Sequence, residues 1–170
     1  MKISYRAALS AVAIISVAAA AACGGSDATS PAPTVLPAAV ETLKNSLAAY
    51  SSLKLAKDAG YSTMITDCMS NGDEGAMGVH FGNTTFIDGT ADAAHPEVLI
   101  YEPGTNGEMS LVGVEFLVPY TLVPKTSTPP VLFDQKFSQN DVFGVWALHV
   151  WTHRSNPSGL FASWNPRVHC

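Results

Sequence analysis

Basic side chains are scarce in this chain. Nine Lys and Arg stand against 14 Asp and Glu, for a formal net charge of −5. They form no basic patch, which argues against a nucleic-acid partner. Motifs with familiar chemistry are missing too. There is no Gly-rich phosphate loop, no Gly-x-Ser-x-Gly elbow and no His-Glu-x-x-His pair. "DGTAD" offers Asp88 and Asp92 but lacks the further oxygen ligands of a calcium loop. No internal repeat or coiled-coil period appears. Cysteine is sparse, at three residues, and each has a separate reading.

The first cysteine belongs to the beginning of the chain. "MKISYR" carries Lys2 and Arg6, the run "AALSAVAIISVAAAAA" is apolar, and "CGGSD" follows. A short basic region, an apolar region and small residues make a secretory signal. Cys23, directly after Ala20, Ala21 and Ala22, resembles the lipidated cysteine of a bacterial lipoprotein signal, although Ala20 stands where leucine is commonest. The alternatives are ordinary cleavage after an Ala-x-Ala, giving a secreted chain, and an uncleaved membrane helix. The last is the poorest fit, because the run is about 16 residues against the ~20 a span needs. Removing Lys2 and Arg6 with the signal takes the formal net charge to about −7. "GGSDATSPAPTVLP" is too small and proline-rich to bury a core, so it reads as a flexible tether. The expected organisation is a signal over 1–22, a lipidated flexible linker over 23–37 and one α+β domain over 38–170. The expected place is the bacterial cell envelope, with the membrane as partner through Cys23.

The other two cysteines are Cys68 and Cys170. In an oxidising compartment an even pair reads as one disulfide. It would close a loop of ~100 residues, worth at most about 4–5 kcal/mol in the chain-entropy model. The alternative is a thiolate metal ligand, which the absence of a Cys-x-x-Cys relation disfavours.

Within the domain, Val40, Leu43, Leu47, Tyr50, Leu53 and Ala56 or Leu55 recur at three and four residues. That period predicts an amphipathic helix, stopped by Gly60 as a C-terminal cap. Beyond Cys68 the chain becomes strand-like. "AMGVHFG", "EVLIYEP", "MSLVGVEFLVPY", "VLFDQKF" and "VFGVWALHVWTH" read as strands, and the Gly-rich turn "GTNGE" marks a hairpin. A helix on a mainly antiparallel sheet, with one disulfide, is the expected α+β fold, of helix-grip, cystatin-like or small-barrel type.

Strand alternation then selects a site. His149 and His153 lie four apart, which on a strand is ~13 Å, so they cannot share one metal. Alternation puts Ala147, His149 and Trp151 on one face, with Trp146, Leu148 and Val150 on the other. In β-type "GAMGVHFG", His80 shares a face with Gly78 and Gly82. In "LVGVEFLV", Glu115 shares a face with Leu111, Gly113 and Leu117, opposite Val112, Val114, Phe116 and Val118. Each polar residue sits beside glycines, which often mark close approach by a ligand or another backbone. His80, Glu115 and His149 are therefore candidate ligands of one cleft. Two histidines and a carboxylate suit a divalent metal (Zn, Fe or Cu), or a metal-free acid and base. Tyr101 and Trp151 are candidate pocket walls. The competing reading is a solvated Glu115 with two ordinary hydrogen-bonded histidines.

"GAMGVHFGN", "PEVLIYEP", "LVGVEFLVP" and "LHVWTHRSNPSGLFASWNPRVHC" together resemble a family of uncharacterised bacterial secreted proteins, many of them lipoproteins. The resemblance implies an exported domain and no particular activity. The function expected is an exported lipoprotein domain whose polar cleft binds a small ligand or a divalent metal, with or without catalysis. The alternative is a non-catalytic binding or structural module of the cell envelope.

Overall fold

The computed structural model describes residue 1 and residues 35–170. The expected signal, the lipidation at Cys23 and most of the linker lie outside the described residues. The helical stripe is real but is divided into α1 (Ala38–Ser46), a 3₁₀ turn (Ala48–Ser51) and α2 (Leu53–Asp58). Serines help to divide it. The Ser46 hydroxyl donates to Leu43 O and that of Ser51 to Ala48 O, local bonds that compete with a continuous helix. Val40, Leu43, Leu47 and Ala56 are buried, whereas Leu55 is exposed. Gly60, at φ +102°, closes α2. Tyr61 N–H donates to Ala56 O and Gly60 N–H to Lys57 O, both at 3.0 Å, which is a Schellman cap.

Six strands form one antiparallel sheet: β1 (Thr63–Ser70), β2 (Ala76–Gly82), β3 (Val98–Pro103), β4 (Met109–Pro119), β7 (Ser138–Asn140) and β8 (Val145–Val150). Their order is β1-β2-β3-β4-β8-β7, and the sheet curls into a half-barrel. The α+β expectation therefore holds. "VLFDQKF" is not one strand. It folds into a hairpin of β5 (Val131–Leu132) and β6 (Gln135–Lys136), because Phe133 and Asp134 both adopt positive φ. The last strand is also shorter than expected, since Asp141–Gly144 is a turn.

The two faces of the sheet are covered differently. On one, Val79, Phe81, Leu99, Val114, Phe116, Trp146 and Val150 join the helical residues in the main core. On the other, Ala76, Ile100, Val112, Trp151 and Val168 make a smaller cluster under the C-terminal segment 151–170. A β-bulge corrects the predicted alternation. Ile100 pairs with Gly113 but Tyr101 pairs with Leu111, which leaves Val112 unopposed. Leu111 thereby joins the helix-side core and Val112 the other face, the reverse of the sequence expectation. The Val112 carbonyl accepts from both His153 N–H and Arg154 N–H, turning the chain out of β8.

The C-terminal segment returns to the far edge of the sheet. Ala76 and Asn165 exchange both backbone hydrogen bonds at 3.1 Å. Cys68 and Cys170 form the disulfide, with Cα atoms 5.5 Å apart, a separation native to such bridges. Glu102 fastens the same segment by accepting from the Arg154 guanidinium and from His169 N–H.

Candidate metal centre

His80 comes from β2, Glu115 from β4 and His149 from β8. Glu115 lies directly opposite His149 in the β4–β8 register, and opposite Val98 on its other side. His80 lies opposite Ile100, one row along. On a flat sheet, strands three places apart stand ~14 Å from each other. The curl of the sheet and the reach of two imidazoles close that gap. His80 Nε2 and His149 Nε2 are 3.3 Å apart, with the rings nearly perpendicular. The Glu115 carboxylate straddles them, Oε2 3.7 Å from His80 Nε2 and Oε1 3.9 Å from His149 Nε2. One ligand atom from each residue fits within a 4.8 Å span. The three residues are 2%, 8% and 6% exposed, in the order His80, Glu115, His149.

These spacings suit a metal better than an ion pair. With bonds of about 2.0–2.1 Å, tetrahedral ligand atoms stand ~3.3 Å apart. The two histidine nitrogens already have that separation, and one carboxylate oxygen, within 4.8 Å of both, has further to close. By contrast, 3.7 and 3.9 Å are too long for hydrogen bonds. Among the described residues, the Glu115 carboxylate has no hydrogen-bond partner. Burial pushes the Glu115 carboxyl up to about 7. It pushes His80 down to about 4 and, aided by the charge His80 would carry, His149 down to about 3. Near neutral pH the imidazoles are therefore uncharged, the form that binds a metal, and the carboxyl needs to lose one proton at most.

Thr66 completes the arrangement, and the sequence reading missed it. It lies opposite His80 on β1, and its Oγ1 is 2.9 Å from His80 Nδ1. With Nδ1–H donating to that hydroxyl, Nε2 is left bare toward Glu115 and His149. A hydrogen-bonded second nitrogen of this kind orients a ligating histidine. The missing signal was β1 itself. "TMITDCMS" has no clean alternation and is half-exposed along its length.

The remaining predicted site residues divide. Trp151 lies beside the site, its ring stacked on His149 at 6.1 Å and 13°. It is buried, and its indole N–H donates to Ala162 O, so it presents no open plate to a ligand. Tyr101 is not a wall of this site. It pairs with Val79 on the helix side, packs edge-on to Phe81 and donates its hydroxyl to Tyr50 O at 2.6 Å. The strand-borne glycines make room for protein and not for ligand. A Cβ on Gly113 would stand 2.7 Å from Val150 O, and one on Gly82 would stand 2.5 Å from Ile65 Cδ1. His153 is exposed, beyond the end of β8, as its separation from His149 required.

A second buried acid also escaped the sequence reading. Glu97 is 1% exposed and accepts from Leu117 N–H at 3.2 Å. Burial raises its carboxyl to about 8 against the pull of its backbone hydrogen bonds. In the sequence it is only the polar residue before "VLIY". No family model, curated protein or solved structure matches the chain, so the site stands on its own geometry.

Proposed function

We propose that this chain is a metal-binding domain whose His80, Glu115 and His149 hold one divalent transition-metal ion. The observation that carries this reading is convergence. Three strands far apart in sequence bring three ligand-type side chains to one buried point, where among the described residues the carboxylate has no protein hydrogen bond. A carboxyl this buried is costly to ionise, and a cation answers that cost. Two imidazoles and one carboxylate match three-ligand zinc sites that leave a position open, and also non-haem Fe(II) sites. The short His–His separation fits tetrahedral zinc best.

The same reading places the domain in the bacterial cell envelope, tethered through Cys23. The signal-like start supports it, and the Cys68–Cys170 bridge suits an oxidising compartment.

A second reading is a metal-free polar cluster, with a neutral His80–His149 hydrogen bond at 3.3 Å and a protonated Glu115. Elemental analysis separates the two. Untagged protein, expressed without its first 22 residues and refolded with its disulfide formed, should carry about one metal per chain after incubation with zinc and desalting. Zinc at 100 times its Kd should stabilise the fold by about 2.7 kcal/mol. No stoichiometric metal, with melting unchanged by Zn²⁺, Fe²⁺ or Cu²⁺, would remove the metal reading and leave the neutral cluster.

A further inference from the structure

A cleft of about 530 Å³ adjoins the site, within the range of small-molecule pockets. Among the three candidate ligands His149 alone lines it. Ala147 stands beside His149 on the same face of β8, Leu148 reaches the cleft from the opposite face, and Met77, Val142 and Phe161 supply further apolar surface. Most of the other wall residues are neutral and polar. Gln135, Ser138, Asn140 and Ser163 bring amides and hydroxyls from two separate stretches of chain.

The charges in the lining nearly cancel. Asp141 is occupied by Lys125 at 2.5 Å and by the Tyr120 hydroxyl. Lys136 is a single exposed cation. Phosphate or polyanion sites gather several cations, and this wall has only Lys136. A purely apolar ligand would leave the amides and hydroxyls unpaired. A neutral molecule with many hydroxyls and one apolar face satisfies both sets of groups. It offers hydrogen bonds around its rim and C–H surface to Phe161 and Met77.

We propose that this cleft is where a neutral, polyhydroxylated small molecule, of the sugar class, reaches the open side of the His80–Glu115–His149 centre past His149. The proposal rests on the metal reading above and adds a ligand class and a route to it.

The test uses the chain loaded with cobalt(II), whose visible bands report its ligands. It is titrated with glucose, with N-acetylglucosamine and, separately, with azide. The expected result is a saturable change in the bands with at least one sugar. Ser163→Trp, at an exposed position, should weaken the sugar effect at least tenfold while leaving cobalt content and the starting spectrum unchanged. Ala147→Leu, a smaller intrusion from β8, should do the same if Ser163→Trp folds poorly. If azide changes the bands and neither sugar does, the sugar class is wrong and the proposal falls. If no probe changes them, or both variants respond like the parent, the route is wrong and the proposal falls. A chain that takes up no cobalt, zinc or iron instead defeats the metal reading beneath it.

Discussion

Glu115 and Phe116 are neighbours in β4, and they face opposite halves of the molecule. Phe116 points into the main core, where Val114, Trp146, Leu148 and Val150 surround the sheet with apolar surface. The buried hydroxyls on that face, those of Tyr61 and Tyr101, each donate to a backbone carbonyl. Glu115 points to the other face, where a small cluster of five apolar residues shares space with two histidines. The same sheet is thus mostly apolar on one side and gathers two histidines and a carboxylate on the other. The contrast teaches that the first face specifies the fold. The second keeps groups that folding alone would not select, because neutral apolar residues of similar size would fill the space at lower cost.

The sharpest way to break this contrast is to mutate the two neighbours. Phe116→Ala should cost about 3–5 kcal/mol in urea or thermal unfolding. Glu115→Gln should leave the metal-free protein as stable as before, or more so, while abolishing metal uptake. Equal losses in both variants would mean that the faces do the same job. Next in size is the bridge. Cys68→Ser with Cys170→Ser should cost at most about 4–5 kcal/mol. Proteolysis of that variant should begin within 151–170, on the site face, before the helix-side core is cut.

Thr66→Val should act on the site face alone. Metal affinity should fall about 10–100-fold, through loss of the bond that orients His80, with metal-free melting changed by less than about 1 kcal/mol. The smallest signal is a proton. In the metal-free chain the raised Glu115 carboxyl stabilises the fold below its unfolded value of 4.5, and that contribution is lost as pH rises through about 7. The histidines act in the opposite sense. Their contribution is present above 6.5 and lost as pH falls toward about 4 and 3. Metal binding at pH 6 should therefore release about one proton, and binding at pH 8 almost none, as calorimetry in buffers of different ionisation enthalpy would show. Two or more protons at pH 6 would mean that the histidines are charged before the metal arrives.

Much of this arrangement was legible before any coordinates. The hydrophobic period over 40–56, the hairpin at "GTNGE" and the strand around His149 all rest on local rules, and those rules held. The three site residues emerged from one simple test, a polar residue inside an otherwise apolar strand. What escaped needed non-local information. Tyr101 and Glu102 could not be assigned to faces until the phase of β3 against β2 was known, as Val79 opposite Tyr101 now fixes it. The bulge at Val112 changes a phase that composition cannot report. β1 is an irregular, half-exposed edge strand, so Thr66 had no visible context.

The placing of the ligands on β2, β4 and β8 also bears on how the centre comes into being. β2, β3 and β4 are consecutive antiparallel neighbours, and their contacts close short loops, which form early and quickly. β8 docks on β4 only after the long excursion through the β5–β6 hairpin and β7. A chain that folds in this order would hold His80 and Glu115 in place before His149 arrives. If the centre takes a metal as proposed, two ligands would grip the ion weakly and the third would convert a passing contact into retention. Occupancy of the centre would then mark a finished sheet, much as a latch that catches only when the last panel is seated.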